Sequence, residues 1–550
     1  MTAGEGFDFP RRVPLRVGGR FGSLRALPAQ AVRTIAKETR LVFVAVLACN
    51  LVVAQYLVFH LDYIVGDALS RVADAYFVLF SRDPHLAAIG MIWNPLPSFL
   101  ELPLVAFKGW FPWLVTRGFA GNIETALFGA GCAVVVSLLL RDAGVGRPLR
   151  LALLAVWVLN PMILLYSANG MSDITLMFFL LLGSLLLLRW LRQPRDSLLV
   201  GLGVTCAIAT LVRYEAWPFA ILIMVAVAVS QWRSGASWRA TEARLLLLGL
   251  PVAFAVLFWI GTNAVVMHNP LYFLNGAYSN LSQTKAAAIR LDSWSRAAGI
   301  VASEVTHLYP AYPICAVIAL ALAIWRRQTW IAIAVVLMTT AALLLMTYLI
   351  HRGGLELLLR YFMSAIPFSF VLVAYSLGLV GRRIPKVLLG VALLALLAVS
   401  DVASLGPMSS SRVGPEEHAV VAAVKHDRPM ADDHIYQELP VGQAVERLDP
   451  EHRLVLIDTF EGFSIVVSSP DPRLFVITSD IDFEAALSDP QAYHIAYFMV
   501  PMPEGVGKLD AVNRRYPGFW RNGDGFAKKV ADLGTAVRWR LYRIEQPAPL

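Results

Sequence analysis

Long apolar runs separated by short polar turns account for most of the chain up to residue 403. Most of these runs approach the ~20 residues that an α-helix needs to cross a bilayer's hydrocarbon core. The pattern predicts a polytopic α-helical membrane protein with about eleven transmembrane helices. The eleven runs are 41–61, 123–141, 149–166, 172–191, 198–212, 214–231, 244–267, 299–325, 330–350, 361–381 and 386–403.

One further apolar segment, 94–117, contains four prolines together with Glu101, Lys108 and two tryptophans. If it does not span, the basic turns between the runs all fall on the side of the N-terminus, as the positive-inside rule requires. We therefore interpret 94–117 as an interfacial segment on the outer surface. The basic turns contain Arg141, Arg147 and Arg150; Arg189, Arg192 and Arg195; Arg233, Arg239 and Arg244; Arg326 and Arg327; and Arg382, Arg383 and Lys386.

This topology divides the chain into three parts. Residues 1–40, with eight Lys/Arg against three Asp/Glu, form a basic N-terminal tail expected in the cytoplasm. Residues 41–403 form the transmembrane domain, whose large first outer loop is 62–122. Residues 404–550 are expected outside the membrane, on the extracytoplasmic side of a multi-pass plasma-membrane protein.

The pattern changes after residue 403, where 15 Lys/Arg and 21 Asp/Glu alternate with short apolar runs. None of these runs is long enough to span, and the alternation is typical of a small α/β domain. The candidate strands are Leu454–Asp458, Phe475–Thr478, His494–Val500 and Val537–Ile544, and the candidate helices lie near 415–426, 482–488 and 508–515.

Composition supports the membrane interpretation. Of 550 residues, 57% are hydrophobic and only 16% are charged, against about 25% charged residues in soluble domains. This excludes a water-soluble enzyme, a disordered protein and a nucleic-acid-binding arm. The net charge of +8 is explained by topology. The four cysteines all lie in apolar runs, so disulfides do not hold the chain together.

The first outer loop brings three charged residues onto one face. On a helix, Asp67, Arg71 and Asp74 occupy positions i, i+4 and i+7, and Gly66 suits the turn into that helix. Such a carboxylate can act as a general base or hold a metal ion, and the arginine can bind a phosphate. The alternative is an amphipathic surface helix with a local ion pair.

Later outer turns carry a second group of ionisable residues. Asp173 opens a helix after the turn NPMILLYSANGMSD, and Arg213 and Glu215 lie in LVRYEAWP. Charged groups at this depth are costly unless they are paired or face a cavity. The alternatives are a helix cap for Asp173 and a snorkelling interfacial arginine for Arg213.

Arg352, Arg360 and Tyr361 lie at the outer mouth of a late span, where an arginine fork suits a phosphodiester. An ordinary lipid-headgroup contact is the alternative. The outer loop 268–298, which contains Asn280, is rich in Asn, Tyr and Gln and is a candidate lid or acceptor-binding loop. His85 and Asn94 are further outer polar residues. We assign both to acceptor or sugar binding, together with Asp74, Arg213, Glu215 and Asn280.

Several motifs are absent. The sequence has no Walker A motif, no HExxH helix and no Gly-x-Ser-x-Gly elbow, and its 10 histidines have no metal-ligand spacing. The spans contain almost no charge, whereas ion-coupled transporters usually show intramembrane acids. Polar residues cluster in outer loops, which favours surface chemistry over transport.

Taken in order, these motifs resemble those of GT-C glycosyltransferases. The motifs are an acid opening a helix in a large first outer loop, the Pro-rich WNPLPSFLELPL, a basic inner turn, an outer NP…Y…SD turn and a late Arg-Tyr. The resemblance covers roughly residues 41–370 and is closest to family 39, which includes protein O-mannosyltransferases and lipid A aminoarabinose transferases.

The resemblance implies a transferase that takes a sugar from a polyprenyl-phosphate donor on the extracytoplasmic face. Asp67 then corresponds to the catalytic acid of the first loop and Asp173 to the acid of the second turn. Arg360, with Tyr361 and Arg352, corresponds to the donor-phosphate site. Protein O-mannosyltransferases carry an Asp-Glu pair in the first loop, whereas here Ala68 follows Asp67, which argues against a protein O-mannosyltransferase mechanism.

The sequence therefore predicts an integral-membrane glycosyltransferase acting on a glycan, lipid or protein acceptor and interacting with membrane lipids, with no nucleic-acid partner. No cofactor is required by the pattern, although a divalent cation, Mg²⁺ or Mn²⁺, held by Asp67 and Asp173 is an alternative. A lipid or glycan transporter is the second hypothesis, and a membrane anchor for the outer domain is the third. The sugar and the acceptor are not specified by these motifs.

Overall fold

A computed structural model describes residues 29–284, 293–353, 357–430, 434–448, 451, 453–534 and 538–548. The predicted basic tail, 1–40, lies mostly outside these residues. The described chain forms a helical body up to Met408, followed by a smaller part built on one β-sheet. This confirms the predicted fold class.

The helical body contains the following α-helices: α1 Ala29–Gln55, α2 Gly66–Phe80, α3 Leu96–Val105, α4 Trp113–Thr116, α5 Phe119–Asp142, α6 Arg147–Leu159, α7 Pro161–Tyr166, α8 Asp173–Arg192, α9 Asp196–Thr210, α10 Ala216–Arg233, α11 Trp238–Val266, α12 Tyr272–Asn275, α13 Asn280–Thr284, α14 Trp294–Leu308, α15 Ala311–Trp325, α16 Thr329–Thr339, α17 Ala341–Arg352, α18 Ala365–Leu379 and α19 Arg383–Met408. A π-helical turn, Tyr56–His60, extends α1, and 3-10 turns cover Leu86–Ile89 and Leu359–Phe362.

Seven helices of the described chain are long and apolar enough to cross a membrane, and the number rises to nine if two bent pairs each form one span. All nine coincide with predicted apolar runs, which makes this a multi-pass membrane protein. The bent pairs are α14 with α15, at 101°, and α16 with α17, at 50°.

The two remaining predicted runs, 149–166 and 198–212, are shorter as helices than their apolar length suggested. The first is interrupted at Asn160, whose side chain accepts a hydrogen bond from the Ile163 backbone and so starts a new helix with Pro161 in its first turn. The second is α9, which has 15 residues and is therefore only about 22 Å long.

The segment 94–117 forms two short helices, α3 with 10 residues and α4 with 4. Both are far below the ~20 residues of a span. Pro103 lies inside α3, and Pro112 precedes α4. The segment therefore does not cross a bilayer as one helix.

The C-terminal part contains five strands and six α-helices among the described residues. The helices are α20 Pro415–His426, α21 His434–Leu448, α22 Thr459–Ser468, α23 Phe483–Ser488, α24 Ala511–Arg515 and α25 Phe519–Asn522, and 3-10 turns cover Pro472–Leu474, Gly505–Leu509 and Gly523–Gly525. The strands are β1 Leu454–Ile457, β2 Phe475–Ile477, β3 Ile495–Pro501, β4 Ala527–Leu533 and β5 Trp539–Ile544.

The sheet has the order β2-β1-β3-β5-β4. Strands β2, β1 and β3 are parallel, and β5 and β4 add antiparallel to β3. Because the chain passes from β1 to β2 on one side and then to β3 on the other, the strand order reverses between β1 and β3. The carboxyl ends of these two strands are where open α/β sheets form a crevice.

The two parts of the chain are joined by polar contacts. Arg82 after α2 donates to Asp480 at 3.1 Å and also pairs with Asp482. Tyr278 of the outer loop donates to Asp458 at 2.7 Å. The Tyr278 ring also stacks on Phe460. Asp458 directly follows β1, at the point where the strand order of the sheet reverses. The outer loop is therefore attached to the crevice of the sheet.

The crossing of α9 and α11 offers a test of the fold. A Cβ at Gly203 would lie 2.6 Å from the Leu248 carbonyl oxygen, whereas one at Gly201 would lie 3.8 Å from the Leu186 side chain. We expect Gly203→Ala to destabilise the protein by about 1–3 kcal/mol, because backbone must move. Thermal unfolding of the purified variants should show a lowered midpoint for Gly203→Ala and an unchanged midpoint for Gly201→Ala. Equal midpoints would show that the two helices do not pack this closely.

Candidate active site

Helix α2 begins after Val65 and places Asp67 in its first turn, where the helix dipole favours a negative charge. Asp67 and Arg71 both line one pocket, as the shared helix face predicted. Asp74, one turn further on, faces Gly90 instead, and a Cβ at Gly90 would lie 3.3 Å from its carboxylate. Gly90 has a φ of +87°, a conformation that favours glycine.

Arg360 lies in the 3-10 turn that leads into α18, a helix in which every residue is buried. Its side chain is only 7% exposed, and Nη2 donates to Asp67 Oδ2 at 2.9 Å. Nη1 lies 3.3 Å from Glu416 Oε1. Nε has no hydrogen-bond partner among the described residues. The guanidinium thus holds two carboxylates and keeps one donor unused.

A second arginine is held by two acids. Arg213 Nη1 donates to Asp173 Oδ2 at 3.1 Å, while Nε and Nη2 donate to Glu215 Oε1 at 3.0 and 2.8 Å. Arg213 and Glu215 face each other because they lie in the turn between α9 and α10, where residues two apart can meet. Asp173 is the first residue of α8 and is buried.

Asn94 fixes the loop that closes this side of the pocket. Its side-chain amide donates to the Thr210 carbonyl at 2.8 Å, and the backbone of Leu96 donates to the Leu211 carbonyl at 3.1 Å. Arg71 Nη1 lies 3.5 Å from the Asn94 carbonyl oxygen, at the outer limit of a hydrogen bond. The end of α9 and the start of the Pro-rich segment are therefore tied together beside Arg71.

These residues surround one pocket that is open to solvent and encloses about 490 Å³ of space, part of it solvent. Seven sequence-predicted site residues line it: Asp67, Arg71, Asn94, Arg213, Glu215, Arg360 and Tyr361. Asp173 does not line the wall but is bound to Arg213, which does. Asp67 and Arg360, 293 residues apart in sequence, are in direct contact.

Other predicted residues are not brought to this pocket. The ring Nδ1–H of His85 donates to the Asp83 carbonyl at 2.7 Å, beside the contact of Arg82 with Asp480. Arg352 is exposed at the end of α17. Asn280 begins α13, and its side chain lies outside the described residues.

Sequence reasoning did not assign four wall residues, Ser70, Trp93, Met171 and Tyr214. Trp93 and Tyr214 directly precede or follow the predicted Asn94 and Arg213, so their position in the chain was a usable signal. Tyr214 donates to the Ile92 carbonyl at 2.9 Å and stacks on Phe273. Glu416 was also not assigned. It contacts Arg360 from the C-terminal part of the chain, and one sequence does not show which residues of the two parts meet.

The charges of the pocket acids follow from burial and from the arginines. Desolvation acts to raise the pKa of Asp67, but the charges of Arg360 and Arg71 outweigh it and hold that pKa below its usual range. Burial raises the pKa of Asp74 well above its usual range, although Arg71 opposes this. Asp67 is therefore ionised at neutral pH, whereas burial favours the protonated form of Asp74.

A divalent cation does not fit this set of residues. Asp67 and Asp173, the acids that could hold it, are each bound to an arginine. No group of three or more His, Cys, Asp or Glu side chains within the described ranges could hold a metal ion. Three arginines converging on an open pocket instead suit an anion with several oxygens, such as a phosphate.

Comparisons with known proteins show what the fold resembles. No protein-family model and no curated protein sequence matches this chain. The crystal structure of ArnT from Cupriavidus metallidurans bound to undecaprenyl phosphate matches with a TM-score of 0.53 and 14% identity, covering 94% of this chain and 98% of ArnT. The apo structure of the same protein matches with a TM-score of 0.53 and 13% identity, covering 92% and 98%.

The match extends over nearly the whole of both chains, including the sheet that follows the last span. At this level of identity it shows the fold, which is that of ArnT. The resemblance to GT-C enzymes, stated above on sequence motifs, is thus confirmed for the architecture.

Arg213 provides a test of the site's electrostatics. We expect Arg213→Met to cost about 3–5 kcal/mol of stability, because it leaves Asp173 and Glu215 buried without a cation. Asp173→Asn should cost clearly less, since Arg213 keeps Glu215 and an amide oxygen replaces the lost carboxylate. The thermal unfolding midpoints of the two purified variants measure this difference. Similar midpoints would show that Arg213 does not hold both acids.

Proposed function

We propose that this chain is an integral-membrane glycosyltransferase that moves a sugar from a polyprenyl-phosphate donor to an extracytoplasmic glycan, lipid or protein acceptor. The observation that carries the proposal is the contact of Asp67 with Arg360 in a pocket that two further arginines line. The ArnT-like fold supports it, since one of the matching structures contains undecaprenyl phosphate.

Transfer from a lipid phosphate needs a base and an anion site side by side. The acceptor hydroxyl oxygen attacks the anomeric carbon of the donor, and its proton passes to the Asp67 carboxylate. The bond from the anomeric carbon to the phosphate oxygen breaks, and its electron pair leaves with the polyprenyl phosphate. The 2.9 Å contact between Asp67 and Arg360 supports this assignment, since a base and an anion site must be adjacent.

The arginines stabilise the leaving phosphate. Arg360 has an Nε donor without a partner in the described chain, and Arg71 makes only a long contact with the Asn94 carbonyl. Both therefore have donors available for phosphate oxygens, where fixed positive charge lowers the barrier of the reaction. Arg213 is held by Asp173 and Glu215, and its guanidinium forms a fixed part of the pocket wall.

Aromatic side chains provide the remaining surface of the pocket. Trp93, Tyr214 and Tyr361 line it, and the Tyr361 ring lies 5.5 Å from the Arg360 guanidinium carbon. Flat apolar faces beside charged groups suit a sugar ring, which presents both C–H and O–H groups. We assign the sugar to the space between these rings and Asp67.

We also propose a membrane topology and a division of the chain into domains. Residues 41–403 would form the transmembrane domain, the tail 1–40 would lie in the cytoplasm, and 404–550 would form an extracytoplasmic domain at the plasma membrane. The pocket is built from α2, the turns before α8 and α10, and the turn before α18. All of these are segments that the charge distribution assigns to the outer side.

Asp67→Asn tests the role of the base. We expect transfer to fall by about 10²–10⁴-fold, because the amide cannot accept a proton from the acceptor. The measurement is release of undecaprenyl phosphate from undecaprenyl-phosphate-linked mannose, arabinofuranose, galactose and aminoarabinose by the purified protein with a membrane extract as acceptor.

Asp62→Asn is the matched control. Asp62 lies in the same outer loop but pairs with Arg117 at 2.6 Å and does not line the pocket. It should keep normal transfer. Unchanged transfer by Asp67→Asn would contradict the proposal. Movement of labelled lipid across proteoliposomes without a new glycosidic bond would instead support a transporter.

Arg360→Gln tests the phosphate site. We expect undecaprenyl phosphate to bind about 10–100-fold more weakly, because charge-assisted hydrogen bonds contribute about 1.5–3 kcal/mol. Arg352→Gln, exposed at the end of α17 and away from the pocket, should bind normally. Equilibrium binding to the purified variants measures both constants. Loss of binding only in Arg352→Gln would indicate that the phosphate binds at the surface near Arg352 and not in the pocket.

A further inference from the structure

Glu416 connects the outer domain to the proposed phosphate site. It is the second residue of α20, the first helix after the last span, and its Oε1 lies 3.3 Å from Arg360 Nη1. Its side chain is 34% exposed, against 7% for Arg360. Glu416 is thus a partly exposed partner of a buried guanidinium, which also holds the more exposed Asp67.

The count of charges around the pocket shows why this contact matters. Among the described residues, the arginines are Arg71, Arg213 and Arg360, and the acids that pair with the pocket arginines are Asp67, Asp173, Glu215 and Glu416. The acids exceed the arginines by one. A phosphate brings further negative charge, so its entry is disfavoured unless one acid moves away or takes up a proton.

Three of these acids are poorly suited to that role. Asp173 and Glu215 are both bound to Arg213, and Asp67 is the proposed base. Glu416 is the acid whose removal leaves Arg360 still paired, through Nη2, with Asp67. Its withdrawal would leave Nη1 with only a weak contact to Met171 Sδ at 3.8 Å, so that Nη1 could donate to a phosphate oxygen.

We infer that Glu416 occupies the place of the donor phosphate on Arg360, so that the carboxylate and the polyprenyl phosphate compete for one guanidinium. This inference rests on the proposed function. It makes Glu416 a positioning residue that sets donor affinity, and it gives the outer domain a direct effect on the pocket of the helical body. Binding of the donor then requires Glu416 to be displaced or neutralised.

The surroundings of Glu416 make it sensitive to pH. Burial raises its pKa to about 7, with Arg360 opposing the shift and the charges of Asp67, Glu417 and Asp173 adding to it. Tyr63 and Tyr166 also face it, and both are neutral hydroxyls at this pH because burial raises their pKa values. Glu416 is therefore charged and competing above pH 7, and neutral and non-competing below it.

Equilibrium binding of undecaprenyl phosphate to the full chain in phosphatidylcholine nanodiscs tests the inference. We expect Glu416→Gln to bind about tenfold more tightly than the unaltered protein at pH 8, because only about a tenth of Glu416 is neutral there. At pH 6 the two constants should converge. Comparing the variants at each pH cancels the titration of the lipid phosphate itself.

Glu417→Gln is the matched control. Glu417 is the next residue of α20, buried, and it accepts a hydrogen bond from Tyr166 at 2.6 Å. An amide can accept the same bond, and loss of the Glu417 charge would only keep Glu416 more ionised. This variant should therefore bind no more tightly than the unaltered protein at either pH. Equal tightening by Glu417→Gln would point to a general loosening of α20 and would overturn the inference.

The outcomes separate this inference from the proposed function. Unchanged or weaker binding by Glu416→Gln at pH 8, with binding that still depends on Arg360, would overturn the inference alone. Failure of every variant, and of the unaltered protein, to bind undecaprenyl phosphate would overturn both. Tighter binding by Glu416→Gln that disappears in the double variant with Arg360→Gln would support the competition.

Discussion

A buried guanidinium must be matched by anions, and the architecture of this protein around its pocket is organised by that requirement. Removing an arginine from water costs several kcal/mol unless carboxylates or phosphates receive its hydrogen bonds. Arg360 and Arg213 both meet this condition. Their acids lie at the starts of α2, α8 and α20 and in the turn before α10, which also contains Arg213. The pocket exists where these four elements converge.

Much of this convergence could be predicted from the sequence. Charged residues at membrane depth are costly, so Asp67, Arg213 and Arg360 had to face one another or a cavity. The shared face of Asp67 and Arg71 followed from helical spacing, and the four candidate strands match β1, β2, β3 and β5 to within two residues at each end. Helical spacing and strand patterning depend on residues close in the chain, so a single sequence is enough to apply them.

Other features depend on contacts that one sequence does not display. Glu416 is one of two adjacent glutamates on α20, and only the packing of α20 on the helical body directs it to Arg360 and its neighbour to Tyr166. Strand β4 was not predicted, because most of its residues are exposed at the sheet edge and its apolar alternation is weak. The break at Asn160 also depends on a side-chain cap within an otherwise apolar run.

The complete burial of α18 has a consequence for how the protein meets its membrane. Transmembrane helices that touch lipid adjust their tilt to the thickness of the bilayer. Helix α18 has no residue exposed to lipid, because neighbouring helices enclose it along its whole length. Its depth is set by protein packing alone. Arg360, at its start, therefore keeps its position relative to Asp67 in bilayers of different thickness and lipid composition.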